Sequence, residues 1–506
     1  MPLLLGIDLG SSALKCTLID EASGFILTEG LTYTESWIGD QPDHLERNMD
    51  TYWEALKTLL ATLSSENGVD LKRIDAISFS VQGETFAPLD ENFNPVRKTI
   101  QAHDVRATEE TEILREQIGD QLMYQVTGQP SFDAYWPAVK MLWIKRHQPE
   151  VYAKARYFAM TEDYLAYKLT GRFVTDITIA GDSYYYDIRI KDWFDPMLAY
   201  LGINRDMLPE VLETGAVIGN VSNQAAQQTG LSEHAVVVAG AMDQMAGAVG
   251  AGNSVPGIVT ESTGTALALG ATGSGNLDKY LKTGLPVYYH AAVGNWFLMP
   301  WSANGGLVLE WFTNQFGAEE SIKAAEKNCS VFELMTAQAA EIIPGSEGLL
   351  LLPHLVGAAF PEMDSSARGV FFGINAGHTK AHFIRAVMES IAYQIRANIE
   401  KMRDAGIAAD CLRSAGGGSK SPLWNQIKAD VCAIPVTTMD IPDTASLGAA
   451  LIAGVGIGAY PSFESTCTSR FIKFKDTYNP DPANRAIYET GFRKYQEIYQ
   501  ALKGHF

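Results

Sequence analysis

An α/β protein built from two large, related domains is what this sequence predicts. Strand-like segments bounded by turn glycines alternate with amphipathic helical patterns along 506 residues, a length that suits three ordinary domains or two large α/β ones. The opening, Leu3 to Ile19, alternates apolar and small polar residues around Gly10-Ser11-Ser12, the mark of two strands joined by a tight turn. The form returns in miniature at Ile258 to Gly270, where a strand, the turn Ser262-Thr263-Gly264-Thr265 and a second strand follow one another. Each copy opens one half of the chain, a placement that favours duplication.

The remaining elements follow in order. Thr51 to Leu63 reads as an amphipathic helix and Ile74 to Val81 as a strand, while Ala138 to Lys145 and Thr161 to Leu169 read as helices with aromatic residues on their apolar faces. A short buried strand at Ala235 to Ala241 ends in Met242-Asp243. The small-residue stretch Ala246 to Gly257 is the predicted crossover, which divides the chain into 1–246 and 247–506. Helical patterns resume at Leu307 to Phe316 and Lys380 to Asp404, and a strand at Cys411 to Ser414 runs into Gly416-Gly417-Gly418. Ala445 to Tyr460 is apolar but too short to span a bilayer and carries four glycines, so it is predicted to be a tightly packed internal helix. Ala483 to Leu502 is the last helix, with packing across both domains as one arrangement.

Composition excludes several function classes. Lys plus Arg number 39 against 59 for Asp plus Glu, a formal charge of −20, which repels phosphate backbones and anionic lipid, so neither nucleic acid nor membrane is an expected partner. With 46% hydrophobic and 19% charged residues the chain has enough apolar surface to fold. Its five cysteines, Cys16, Cys329, Cys411, Cys432 and Cys467, are scattered and never spaced as CxxC, which disfavours a disulfide framework and a zinc ribbon and suits a reducing cytoplasm. The start has no basic segment and meets a carboxylate at Asp8, unlike a signal peptide.

Six places could carry chemistry. Asp8-Leu9-Gly10-Ser11-Ser12-Ala13-Leu14-Lys15 sets a carboxylate at a strand end, then backbone N–H and hydroxyl donors in a turn, then a cation. It reads either as a polar hairpin or as a cradle for phosphate with Asp8 holding hydrated Mg²⁺. Thr263-Gly264-Thr265 repeats the donors. Gly416 to Pro422 follows a strand and opens a helix, with Ser421 suited to the N-cap and Pro422 to the first helical position, so it is a flexible turn or, as its helix-start chemistry favours, a ligand site. Asp243 lies where a buried strand gives way to small residues, and is either a turn aspartate or a base able to take a hydroxyl proton. Glu84 and Asp104, each just past a strand-like run, are surface carboxylates or binders of sugar hydroxyls.

Other patterns are discounted. Gly454-Val455-Gly456-Ile457-Gly458-Ala459 fits a relaxed dinucleotide motif but ends a helix instead of joining a strand to one. His378 and His382 have zinc-helix spacing without the accompanying Glu, and read as helix-start surface residues. No GxxxxGK[ST] or GxSxG occurs.

Together these segments resemble the FGGY family of carbohydrate kinases over nearly the whole chain. The Asp8 to Lys15 turn is similar to the family's first phosphate motif, Thr263-Gly264-Thr265 to its second, Gly416 to Asp430 to its adenosine motif, and "GVFFGINAGHTKAHFIRAVME" at 369–389 to its C-terminal signature. The resemblance implies two actin-like (ribonuclease H-like) α/β domains with the active site in an interdomain cleft. It implies Asp243 as general base, Asp8 and Asp243 as Mg²⁺ holders, and Gly10, Ser11, Ser12, Lys15, Thr263, Gly264, Thr265, Gly306, Gly417, Gly418 and Ser421 around ATP. Gln82, Gly83, Glu84, Asp104, Asp243 and Gln244 would form the acceptor site. It also implies a homodimer, a common state in the family.

The segments "GGGSKSPLWNQIKADV" and "DYLAYKLTG" are similar to xylulose kinases in particular, which makes D-xylulose, phosphorylated to D-xylulose 5-phosphate, the first expected acceptor. Gln82-Gly83-Glu84-Thr85 departs from the Gln-Met-His-Gly of those enzymes and, at Gly83, from the Asn-Gln-Arg-Glu-Thr of glycerol kinases. Ala102-His103-Asp104-Val105-Arg106 lacks the family's tryptophan, and Asp443 stands where Glu is common. Ribulose, glycerol or another polyol are the alternatives as acceptor, and a non-catalytic actin-fold nucleotide sensor is the alternative of a different class.

Overall fold

The computed structural model describes residues 1–41, 44–441, 443–467 and 469–506. It divides into two compact units. The first comprises Met1–Val255, Ser274–Phe297 and Ile441–Ile472; the second comprises Pro256–Gly273, Leu298–Asp440 and Lys473–Phe506.

In the first unit the predicted opening hairpin is present. Strand Leu3–Leu9 pairs antiparallel with Ala13–Asp20 and parallel with Ala76–Val81. The sheet runs Val217–Asn220, Val236–Val238, Ala76–Val81, Leu3–Leu9, Ala13–Asp20, Phe25–Thr32, with the short strand Ala241–Met242 also on Ala76–Val81. Every residue of Leu3–Leu9 and Ala76–Val81 is buried, as expected of strands covered on both faces. Helix Asp50–Ser65 presents Tyr52, Leu56, Leu59, Leu60 and Leu63 as one buried stripe, the three-and-four spacing of an amphipathic helix.

The second unit repeats this arrangement. Strand Gly257–Thr263 pairs antiparallel with Leu267–Ser274 and parallel with Ala409–Ala415, and Val436–Met439 and Phe474–Tyr478 extend the sheet. The shared pattern, a hairpin whose first strand continues into a parallel neighbour, matches the duplication read from the two turns. Helix Lys380–Asp404 has the predicted ends; Thr379 and His382 form its capping box, so His382 is a buried cap and not the surface residue expected. Helix Arg485–Leu502 belongs to this unit, where Tyr393 lies 5.5 Å, ring to ring, from Tyr495.

The partition differs from a single boundary at 246. Chain passes to the second unit at Pro256, and two later segments return to the first. Ile441–Ile472 returns because helix Thr444–Gly456 is made of small residues: a Cβ on Gly6 would stand 2.0 Å from the Ser446 carbonyl, and one on Gly448 1.8 Å from that of Ala246. Ser274–Phe297 returns through the Val287 N–H donating to the Gly128 carbonyl, 2.9 Å. The strand read as Ala235 to Ala241 is two pieces, Val236–Val238 and Ala241–Met242, and Gly240 at the break donates to Glu162 Oε1 at 3.0 Å. All five cysteines are free. Among the described residues no helix is long and apolar enough to cross a membrane.

Candidate active site

At the first turn, Gly10 to Ser12 joins two paired strands, and the Gly10 N–H donates to the Ala13 carbonyl at 3.2 Å. The Ser11 carbonyl accepts from Trp37 Nε1 at 2.7 Å and from Arg47 Nη1 at 3.0 Å. Arg47 is buried with its guanidinium 4.4 Å from the Tyr33 ring and 4.0 Å from that of Trp37. This clamp takes the turn's carbonyl, an acceptor that would repel phosphate, and leaves the Ser12 side pointing to solvent.

Behind the turn, Asp8 is buried, and its Oδ1 accepts from the Ser80 hydroxyl at 2.7 Å. Burial, then the neighbouring Asp443 carboxylate, pushes its carboxyl up to about 7. Lys15 Nζ lies 2.6 Å from Asp443 Oδ2 and 3.9 Å from Asp8 Oδ2. Burial works against the charge of Lys15, yet the hydrogen bond to Asp443 holds its ammonium above the ordinary value. Asp443 also caps helix Thr444–Gly456, accepting from Ser446 N at 2.8 Å. Lys15 is therefore a shared cation, 44% exposed and tethered at one end.

Asp243 begins helix Asp243–Gly250 directly after strand Ala241–Met242, at the carboxyl end of the sheet where α/β folds gather ligands. Burial, then the Glu84 carboxylate, pushes it up to about 7, while the Gln244 N–H donates to it. Glu84 has φ 56°, a left-handed conformation that costs a non-glycine residue about 1 kcal/mol or more. Beneath it the buried Lys140 ammonium donates to the Gln101 and Ala102 carbonyls at 2.8 and 2.7 Å. Burial lowers Lys140 to about 7 against the attraction of Glu84. Asp182 completes the group: burial, then Glu84, holds its carboxyl well above the ordinary carboxylate range.

Asp8 and Asp243 offer the hard oxygens that Mg²⁺ takes, one or two carboxylates being enough when substrate phosphates and water fill the remaining positions. Burial and then neighbouring carboxylates, Asp443 for Asp8 and Glu84 for Asp243, raise both groups, and a divalent cation would relieve that charge, so this donor set fits the ion.

In the second unit the turn after Gly257–Thr263 differs from expectation in one respect. The Thr263 side chain is buried and its hydroxyl donates to Glu261, so Thr263 orients the turn while Gly264 and Thr265 are the exposed members. Gly306 is likewise a support: its N–H donates to the Gly264 carbonyl at 2.7 Å, and a Cβ there would come within 2.4 Å of that oxygen. Glu261 Oε2 accepts from Ser414 Oγ at 2.6 Å and from Lys428 Nζ at 2.8 Å. The Gly416 to Ser421 segment behaves as predicted. Gly416 has φ 74°, Ser421 caps helix Pro422–Cys432 by accepting from Trp424 N at 3.2 Å, and Pro422 takes the first helical position. A Cβ on Gly418 would meet the Thr263 Cβ at 2.8 Å, so glycine there brings loop and turn together.

The first unit thus gathers Asp8, Lys15, Gln82, Gly83, Glu84, Asp243 and Gln244, with Gln82 Nε2 donating to the Tyr52 hydroxyl at 2.9 Å. Asp104 is a correction. It is wholly buried, and its oxygens accept from Arg106 Nε and Nη2 at 2.8 and 2.7 Å and from the Leu45 N–H at 2.6 Å, so it orients Arg106 and has no oxygen to spare for an acceptor. Sequence reasoning missed Lys140, Asp182, Arg47 and the Glu261–Lys428 pair. Lys140 and Lys428 left a trace, a lone cation inside an apolar run (Val139-Lys140-Met141-Leu142 and Ile427-Lys428-Ala429).

Models of the FGGY family of carbohydrate kinases match residues 3–250 with its N-terminal domain and residues 262–457 with its C-terminal domain. The chain is 30% identical to the xylulose kinase of Bacillus subtilis strain 168 over 99% of its own length and 98% of the relative's. It superposes on the xylulose kinase of Rhodospirillum rubrum with a TM-score of 0.89 at 25% identity, covering 99% of each chain. It superposes on the gluconate kinase of Lactobacillus acidophilus with the same TM-score at 24% identity, over 99% and 98% of the two chains, a likeness of fold. With the duplicated sheets and hydroxyl-bearing turns above, these matches identify the chain as a member of the FGGY family of carbohydrate kinases, a xylulokinase-like enzyme that uses ATP to phosphorylate a sugar.

Proposed function

We propose that the enzyme transfers the γ-phosphoryl group of ATP to a hydroxyl of a ketopentose, D-xylulose giving D-xylulose 5-phosphate, with Asp243 as general base. The observation that carries this reading is the position of Asp243, at a strand end and helix start beside Glu84 and within the electrostatic reach of Lys15 and Asp443. Its elevated affinity for a proton suits a group that must take one from a hydroxyl as the oxygen bonds to phosphorus. Gln82, Glu84 and Gln244 are assigned to the acceptor. Backbone N–H groups of Gly10 to Ser12, the Lys15 ammonium and the Gly264-Thr265 turn are assigned to phosphates, and Gly417, Gly418 and Ser421 to the nucleoside. Mg²⁺ bound by Asp8 and Asp243 would neutralise phosphate charge. The assignment to D-xylulose rests on the named relatives, and ribulose, glycerol and other polyols are the competing acceptors.

The test is an acceptor screen read by ADP release and by the mass of the phosphorylated product. D-xylulose is expected to give a mono-phosphorylated product, and Asp243→Ala to lose at least a thousandfold in turnover while ATP binding persists. Full turnover by Asp243→Ala, or a better substrate outside the ketopentoses, overturns the corresponding part of the reading.

A further inference from the structure

Gly83 is buried, and a Cβ built on it would lie 2.2 Å from Asp182 Oδ2 and 3.4 Å from Asp182 Cγ. A side chain at 83 and the Asp182 carboxylate compete for one space. Here glycine yields it to Asp182, which reaches back from the end of helix Ile177–Gly181. Asp182 is 1% exposed, and no N–H or hydroxyl of the described residues donates to its carboxylate, whose side-chain hydrogen-bonding neighbour is another carboxyl, that of Glu84. A buried carboxylate left so is costly unless something else supplies donors.

The surroundings restrict what that is. Glu84 and Asp243 are the charged neighbours of Asp182 on the acceptor side, and both are carboxylates. The nearby cation, Lys140, gives two of its three N–H donors to backbone carbonyls. Tyr288 is buried within electrostatic reach of Asp182 and Glu84. The group is rich in acceptors and poor in free donors. A molecule that satisfies it must donate hydrogen bonds from adjacent positions, as neighbouring hydroxyls of a neutral sugar or polyol do. A carboxylate-bearing acid brings a further anion and no donor where one is needed.

We propose that Asp182, admitted by the missing side chain of Gly83, is a specificity-determining residue that with Glu84 binds neighbouring hydroxyls of a neutral acceptor and excludes sugar acids. The proposal rests on the reading that the acceptor sits beside Asp243, and it goes further in assigning the charge class of the acceptor and the residue that selects it.

The experiment compares wild type, Asp182→Ala, Asp182→Asn and Gly83→Ala with D-xylulose, D-ribulose, glycerol and D-gluconate. Binding of each acceptor without nucleotide is followed by calorimetry, and phosphorylation by ADP release. Asp182→Ala is expected to weaken the best neutral acceptor at least tenfold in both Kd and KM, with KM for ATP within twofold. Asp182→Asn, which keeps an acceptor oxygen in the same place, recovers a large part. Gly83→Ala, which presses on Oδ2, weakens the same acceptor, and the wild type neither binds nor phosphorylates D-gluconate. Unchanged acceptor Kd in Asp182→Ala, or D-gluconate as the preferred acceptor, overturns the inference while leaving the kinase reading intact. Acceptor bound by the wild type but never phosphorylated overturns the reading of the site and leaves the binding role of Asp182 to stand on the Kd values. Should Asp182→Ala not fold, the isosteric Asp182→Asn and Gly83→Ala give the same comparison.

Discussion

Lys428 Nζ stands 2.8 Å from Glu261 Oε2 with both side chains at zero exposure, and the same carboxylate receives the Ser414 and Thr263 hydroxyls. The second unit therefore fixes the turn after strand Gly257–Thr263 from beneath, through a charged pair that water does not reach. A buried pair contributes little net stability because desolvation offsets its attraction, but removing one partner strands the other charge. Lys428→Met is expected to cost about 3 kcal/mol or more in guanidinium unfolding. Adding Glu261→Gln to it should recover most of the loss, since the stranded charge is gone, the amide oxygen accepts from one of the two hydroxyls, and the other hydroxyl turns to accept from the amide NH2. Equal stability of Lys428→Met and wild type would refute this account.

Two helices of the first unit touch backbone to backbone. A Cβ on Gly448 would fall 1.8 Å from the Ala246 carbonyl oxygen, and the obstacle is main chain, which cannot rotate away as a side-chain end can. Gly448→Ala is expected to lose about 3 kcal/mol or more of stability and to depress turnover, because helix Asp243–Gly250 carries Asp243 at its start. Gly458→Ala serves as control for local chain effects, having no atom within 4 Å of the added Cβ at φ 75°; its cost should be limited to the backbone conformation, about 1 kcal/mol.

These two sites mark where sequence reading succeeds and stops. Helix Lys380–Asp404 and the N-cap at Ser421 were legible because their signals are local: a periodic apolar face, and a hydroxyl before Pro422. The positions of Asp8, next to the end of strand Leu3–Leu9, and Asp243, just after Ala241–Met242, were legible because each adjoins a recognisable strand. The return of Ile441–Ile472 to the first unit was not, since a run of glycine and alanine states that something approaches closely without saying what. Lys140 and Lys428 were visible as cations out of place in apolar runs, but their partners lie far along the chain, Glu261 being 167 positions from Lys428. Asp182 was invisible because its place depends on an atom that Gly83 lacks.

Stability should depend on pH through a second buried acidic group. Asp163, with Asp176, Glu162 and Tyr185 within electrostatic reach, accepts from Met160 N at 2.8 Å, and burial pushes its carboxyl up to about 7. An unfolded aspartate titrates near about 3.9. The folded form thus prefers the protonated acid, so this group's contribution is fully present below the unfolded value and is lost as pH rises through about 7. Between pH 6 and 8 the loss is about 1.4 kcal/mol, seen as a falling melting temperature. Asp163→Asn, whose amide oxygen can still accept from Met160, is expected to flatten that slope; an equal slope in the variant would remove Asp163 as its source.

The clamp on the first turn makes the last prediction. Arg47 donates to the Ser11 carbonyl at 3.0 Å, beside Trp37 at 2.7 Å, and is stacked against two aromatic rings. With this donor gone, the Ser11 carbonyl is held by Trp37 alone and can turn toward the face proposed to bind phosphate, where it would repel the nucleotide instead of offering N–H groups. A hydrogen bond from a charged donor is worth about 1.5–3 kcal/mol, and 1.4 kcal/mol corresponds to about tenfold in affinity. Arg47→Ala should therefore raise KM for ATP about tenfold or more while KM for the acceptor stays within about twofold. Arg47→Lys, which keeps the cation but not the planar fork that stacks between Tyr33 and Trp37, should fall between the two. A general loss of stability alone would lower the active fraction and move kcat, leaving both KM values unchanged, so the separation of the two KM values distinguishes positioning of the turn from mere support of the fold.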